Sequence, residues 1–271
     1  MGNVTIVFSD RVWFGLLLTL LAGLATGFGS CIAFFFNRTG RKSLALALGF
    51  SGGVMIYISL VELLASSQAA LSGIYGKTAG QLAAAAAFFG GIAFSMLIDR
   101  LIPAYENPHE VRTVEEMDHP VHRDRMFRSG VLFALAITIH NFPEGMAVFM
   151  ASLSTPETGI AIALAIAIHN IPEGITVSVP LYHATGSRRK AFLWSFLSGL
   201  AEPLGAVTAW LFLAPWLSTE LMNFVFAAVA GIMVYISFDE LLPLAEEYGE
   251  HHYAIYGLIG GMLVMALALA L

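Results

Sequence analysis

Apolar residues in this chain gather in long continuous runs instead of alternating with polar ones. Eight runs, at roughly 13–36, 43–65, 78–102, 129–152, 157–183, 191–213, 221–243 and 253–271, approach or exceed the length a helix needs to cross a bilayer, about 20 residues. They predict an all-α integral membrane protein with eight transmembrane helices. Strands of a barrel would be shorter and would alternate. The connections are short except for 103–128, which is polar and holds Pro103, Pro108 and Pro120. The pattern thus describes a single transmembrane domain over residues 1–271.

Composition agrees. Of 271 residues, 58% are hydrophobic and only 12% charged, with a mean hydropathy of +0.77. A soluble domain carries about 25% charged residues, so this chain has too little polar surface to cover a globule in water. The expected surroundings are a lipid bilayer, and no nucleic-acid partner is expected. Cys31 is the only cysteine, which rules out an internal disulfide framework. The first ten residues hold no Lys or Arg, so a cleaved signal peptide is not expected.

Basic residues assign the two sides. Arg38, Arg41, Lys42, Arg100, Arg112, Arg123, Arg125, Arg128, Arg188, Arg189 and Lys190 flank the connections after runs one, three and five. Only Arg11 and Lys77 fall on the opposite side. The positive-inside rule places the first group in the cytoplasm, with the loop 103–128, and both termini outside.

The chain also repeats itself. Gly53-Val-Met-Ile-Tyr-Ile-Ser-Leu-Val-Glu-Leu-Leu64 and Gly231-Ile-Met-Val-Tyr-Ile-Ser-Phe-Asp-Glu-Leu-Leu242 share eight of twelve residues. With eight spans these segments run in opposite directions. The layout is then an inverted repeat, helices 1–3 related to 6–8 with 4 and 5 central, as in many secondary transporters.

Chemistry concentrates in the middle of the spans. Run four holds His140-Asn141-Phe142-Pro143-Glu144-Gly145 and run five holds His169-Asn170-Ile171-Pro172-Glu173-Gly174. Residues four apart share a helix face, so each His sits over its own Glu, with an Asn about 100° around. Pro143 and Pro172 each remove a backbone donor and are expected to open the helix there. Both histidines lie near the middle of their spans, as does Glu202 in run six. Three bare carboxylates at that depth would cost roughly 8–10 kcal/mol by insertion scales. A divalent cation offsets that cost, and protonation is the alternative. Imidazole nitrogen suits Zn, Fe, Ni and Cu, while carboxylate and amide oxygen extend tolerance toward Mn and Co. The repeated Glu62 and Glu240 lie toward opposite ends of their spans and read as pathway ligands, with Asp239 beside Glu240. Small-residue faces with Gly23, Gly27, Gly52, Gly53, Gly90 and Gly91 read as close helix packing and leave room for a homodimer.

These residues resemble the ZIP (Zrt/Irt-like) divalent metal transporter family, and within it the bacterial ZupT-type zinc permease branch. The resemblance rests on the doubled His-Asn-x-Pro-Glu-Gly, on Ala201-Glu202-Pro203-Leu204-Gly205 and on the eight-span layout, and it runs over nearly the whole chain. It implies a binuclear site halfway through the membrane. The first position would draw on Met55, His140, Glu144, His169 and Glu173. The second would draw on Asn141, Glu144, Asn170, Glu173 and Glu202, both motif glutamates bridging. It implies uptake of zinc across a bacterial plasma membrane, with Fe, Mn, Co and Cd tolerated, and no cofactor beyond the transported ion. His109, His119 and His122 could chelate metal on the long loop, as His-rich connections do in this family; a solvated loop is the plainer reading.

Two other classes remain to be weighed. An intramembrane metal-dependent hydrolase needs a fixed metal, an open water position and a base, as in His-Glu-x-x-His. Neither motif has that order, so no enzyme is expected. A metal-binding membrane protein that carries nothing, or a proton relay, would use the same residues, and only a flux assay separates them.

Overall fold

The computed structural model describes residues 10–35, 41–101, 123–213, 216, 218–247 and 251–270. Among these residues there is no strand. The chain forms α1 (Asp10–Phe35), α2 (Arg41–Tyr57), α3 (Ala65–Tyr75), α4 (Lys77–Leu101), α5 (Arg123–Ser154), α6 (Pro156–Thr185), α7 (Arg188–Gly199), α8 (Ala201–Thr208), α9 (Thr219–Ile236), α10 (Leu242–Glu247) and α11 (His251–Ala270). Three wider π-helical segments interrupt these runs: π1 (Ile58–Leu64), π2 (Ala209–Leu213) and π3 (Ser237–Leu241). Six stretches, 10–34, 42–75, 77–100, 156–179, 219–246 and 251–270, are long and apolar enough to cross a membrane. The second runs about ten residues beyond its expected end. Nothing in Ala65–Tyr75 breaks a helix until Gly76, whose φ of 83° only glycine adopts freely.

The helix ends follow ordinary capping. Thr155 accepts a bond from the Thr158 amide ahead of Pro156, so α6 starts with a capping hydroxyl and a proline in its first turn. It stops at Gly186, in the left-handed region at φ 65°. Run six breaks at Leu200 because Pro203 has no N–H to offer the Gly199 carbonyl.

Burial is inside out. Leu82, Phe89 and Leu97 on α4 and Ile259, Leu263 and Leu267 on α11 are exposed, whereas His140, Asn141, Glu144, His169, Asn170, Glu173 and Glu202 are buried. Only a surrounding hydrocarbon rewards that distribution. α5 and α6 pack on each other, with α1 and α8 against them; α2 packs on α11, and α4 on α9.

Four of these helix pairs cross in the same way. A Cβ on Gly53 would strike the Leu258 carbonyl, and one on Gly261 that of Phe50. Gly231 meets the Phe88 carbonyl, and Gly91 that of Ala228. Gly174 meets Thr26, and Gly29 meets Ile171; Gly145 meets Glu202, and Gly205 meets Phe142. In every case the carbonyl lies three residues before the partner's own glycine, so each crossing is reciprocal. Such approach is available only to residues without a side chain. Gly23 also meets a carbonyl, that of Gly199, and Gly27 a ring of Phe196. Gly52 makes only ordinary contacts and Gly90 faces open space, so the packing expected of them is absent.

Candidate metal centre

α5 and α6 carry the two motifs, and both helices continue through Pro143 and Pro172 instead of opening there. The motif glycines explain how the helices are held. Gly145 seats α5 directly on the backbone of Glu202, and Gly174 seats α6 on that of Thr26. The glycine that ends each motif therefore sets its distance from α8 or α1, and the first of these contacts fixes where Glu202 stands.

The His and Glu side chains meet between the two helices. His140 Nε2 lies 3.2 Å from Glu144 Oε1 and 3.5 Å from Glu173 Oε1. His169 Nε2 lies 3.2 Å from both Glu144 oxygens. The two imidazole rings are 6.5 Å apart, and His140, His169 and Glu173 each offer a donor atom within 4.8 Å of the others. Zinc bonds of about 2.0–2.1 Å put neighbouring ligand atoms roughly 3.4 Å apart. Closing this group around an ion therefore takes shifts of about an ångström, within reach of side-chain rotation.

Hydrogen bonding fixes which atoms are available. His169 Nδ1 lies 3.1 Å from the Ala165 carbonyl, which can only accept, so Nδ1 carries the proton. In the neutral ring Nε2 then presents a lone pair to a carboxylate. That facing is favourable only with a second proton or with a cation between them. The asparagines are oriented in the same manner. Asn141 Nδ2 donates to the Ser198 carbonyl at 3.3 Å; Asn170 Nδ2 donates to the Ala22 carbonyl at 2.9 Å and to Glu202 Oε1.

Several acceptor oxygens of the motif residues are left over. Asn141 Oδ1, Asn170 Oδ1, Glu173 Oε2 and Glu202 Oε2 are buried without a hydrogen-bond donor. Each such orphan costs about 1–3 kcal/mol, more when charged. Both ring nitrogens of His140 and Glu144 Oε1 are also buried without a hydrogen bond, and a bound cation would satisfy such a set of oxygens and an imidazole lone pair.

The other expected residues are placed as follows. Met55 is fully buried on α2, one turn beyond Ser51, whose hydroxyl donates to the His169 carbonyl at 3.3 Å. Glu240 is buried on π3, close enough to interact electrostatically with His140 and Glu173. Asp239 is half-buried on π3, one residue before Glu240. Glu62 is half-buried on π1, and among the described residues no contact joins it to the cluster. His109, His119 and His122 lie outside the described residues. The sequence reading missed Asp99 and Tyr235, which line a pocket with His140 and Glu240. The available signals were an acid within the third apolar run and the repeated Tyr-Ile-Ser.

A sequence profile of the ZIP Zinc transporter family matches residues 103–269, a stretch holding both motifs, Glu202 and Glu240. The chain belongs to the ZIP zinc transporter family. It is 56% identical to a zinc transporter ZupT of Lysinibacillus sphaericus, over all of this chain and 98% of the relative. It is 60% identical to the ZupT of Chlorobium phaeovibrioides, over 94% of this chain and 97% of the relative. With the ZupT of Streptococcus mutans it shares 53%, over 97% of this chain and 99% of the relative. This ZIP protein is therefore a multi-pass membrane transporter and not an enzyme.

Proposed function

We propose that this ZIP protein mediates uptake of divalent transition-metal ions, zinc foremost with Fe, Mn, Co and Cd tolerated, through a two-ion site at the bilayer midplane. The observation that carries this reading is the buried meeting of His140 and Glu144 from α5 with His169 and Glu173 from α6, to which Asn170 joins Glu202 of α8. The relatives named as zinc transporters support the choice of metal. The first ion is held by His140, Glu144, His169 and Glu173 with Met55 as a soft ligand. The second is held by Asn141, Asn170 and Glu202 with both motif glutamates shared. Two dications offset the mutual repulsion of three carboxylates. Ligands of mixed charge bind tightly enough to strip water and weakly enough to let go.

In this reading one transmembrane domain of eight spans has both termini outside and the loop 103–128 in the cytoplasm of a bacterial inner membrane. The reciprocal glycine crossings support an inverted repeat: α1/α6 matches α8/α5, and α2/α11 matches α9/α4. Metal enters near Glu62, passes the central ligands and leaves past Glu240 and Asp239. The test is radioactive zinc uptake into proteoliposomes. Glu144→Ala and His169→Ala are each expected to abolish it, and wild-type uptake by both would remove the centre from the mechanism.

A further inference from the structure

A serine or threonine hydroxyl inside a helix can bond to the carbonyl three or four residues back. Ser67, Thr138, Ser152, Ser178 and Ser237 all do so. Ser59 does not. It is fully buried on π1, and its Oγ has no hydrogen-bond partner. Its repeat-related counterpart shows what is missing. Ser59 corresponds to Ser237 and Met55 to Met233, and Ser237 Oγ donates to the Met233 carbonyl at 2.8 Å. π3 begins at Ser237 itself, whereas π1 begins one residue before Ser59. Ser59 therefore sits inside its widened turn, and its hydroxyl forms no bond to the Met55 carbonyl. Thr26 and Ser30 on α1 are also unpartnered, but Gly174 closes on their backbone and Gly199 on the Thr26 side chain.

The place of this hydroxyl gives it a use. Ser51, Met55 and Ser59 are spaced four apart and share one face of α2 and π1. The Ser51 hydroxyl reaches the His169 carbonyl on α6, so that face meets the motif helix beside the centre. Ser59 lies one turn further along it, past Met55. Glu62 follows three residues later on the same side, while Leu60 and Val61 between them are exposed. Glu62, Ser59 and Met55 thus stand in order toward the centre: a carboxylate, a free hydroxyl and a thioether. Glu62 and Met55 are about 10 Å apart along the helix axis, too far for one ion to touch both. A neutral oxygen between them shortens each step and adds no charge that would retain a dication.

We propose that Ser59 is a ligand on the entry path, its hydroxyl oxygen receiving the divalent ion between Glu62 and the central site. The proposal rests on the transport reading above. Its test measures zinc and cadmium uptake into proteoliposomes, normalised to incorporated protein, together with thermal melts of the same preparations. Ser59→Ala is expected to lower Vmax/KM for zinc about three- to tenfold, the range one lost neutral oxygen contact allows. It is expected to melt no lower than wild type, because the hydroxyl it removes has no partner to lose. Wild-type transport by Ser59→Ala overturns the proposal, and so does a lowered melting temperature accompanying the loss, which marks a structural role. Ser59→Cys, made and compared in a Cys31→Ser background, places a softer donor at the same point. It is expected to raise the cadmium-to-zinc uptake ratio about threefold or more, and an unchanged ratio overturns the proposal. Ser237→Ala, which gives up only a bond within its own helix, is expected to transport at the wild-type rate. A loss there equal to that of Ser59→Ala would assign both serines to helix geometry and overturn the proposal as well. Should Ser59→Ala fail to accumulate, the Ser59→Cys ratio decides alone. Failure of the central site would show instead as wild-type uptake by Glu144→Ala and His169→Ala, so the two failures are separable.

Discussion

At the residue scale, the centre is made of side chains whose remaining partners are already used up. Asn170 spends its amide hydrogens on Ala22 and Glu202, so its oxygen can only accept. Asn170→Leu removes that oxygen and Glu202's donor together. Calorimetry on purified protein is then expected to show fewer zinc ions bound per chain, with the His-rich position still filled. The motif glycines give a second expectation. Ala is ordinarily a better helix former than Gly by up to about 1 kcal/mol. At Gly145 and Gly174 that sign reverses, because the added Cβ meets backbone that cannot step aside. Gly145→Ala is expected to destabilise by about 1–3 kcal/mol in thermal melts of the solubilised protein, whereas Gly73→Ala, facing open space, is not. The same chemistry decided what the sequence revealed. His140, Glu144, His169, Glu173 and Glu202 were legible because ionisable groups in mid-span are too costly to be incidental. Asp99 was not, because an acid next to Arg100 at the end of an apolar run reads as an interfacial pair. Met55 carries no signal of its own, since a buried methionine is ordinarily filler.

At the element scale, the apolar runs were plain but their interruptions were not. Prolines drew attention to Pro143 and Pro172, yet α5 and α6 run on, each helix pinned by a glycine two residues later. The wider turns came elsewhere, in π1 and π3, whose residues include neither Gly nor Pro. Their placement has a pattern that sequence reading could not see. The repeat aligns Ile58–Leu64 with Ile236–Leu242, so both segments fall on matched residues and each carries one of the paired glutamates, Glu62 and Glu240. A π turn holds one more residue than an α turn, and such turns concentrate at functional sites. Deleting Leu60, an exposed residue of π1, is therefore expected to restore plain α geometry around Glu62 while leaving α3 in register. The variant should reach the membrane in normal amount and take up zinc severalfold more slowly. Unchanged uptake would mean that the widened turn has no part in passage.

At the scale of the whole molecule, the four reciprocal glycine crossings tie the arrangement of helices to the chemistry, because two of them use the motif glycines themselves. An inverted repeat built this way needs α5 and the run α7–π2 to cross the bilayer along with the six plainly apolar stretches. That requirement can be checked by position. In a Cys31→Ser background, single cysteines at Lys77, Glu157, Arg189 and His251 sit at exposed helix ends. With eight spans and the basic connections inside, a membrane-impermeant maleimide should label positions 77 and 157 on intact cells. Positions 189 and 251 should react only after permeabilisation. With six spans, positions 77 and 251 would behave in the same way, but 157 and 189 would exchange sides. Full reversal of all four would instead preserve the eight crossings and invert the direction of uptake. The assay thus separates the number of spans from their orientation. It also bears on the centre, because His140 and Glu202 can reach the bilayer midplane together only if both of those less apolar runs traverse it.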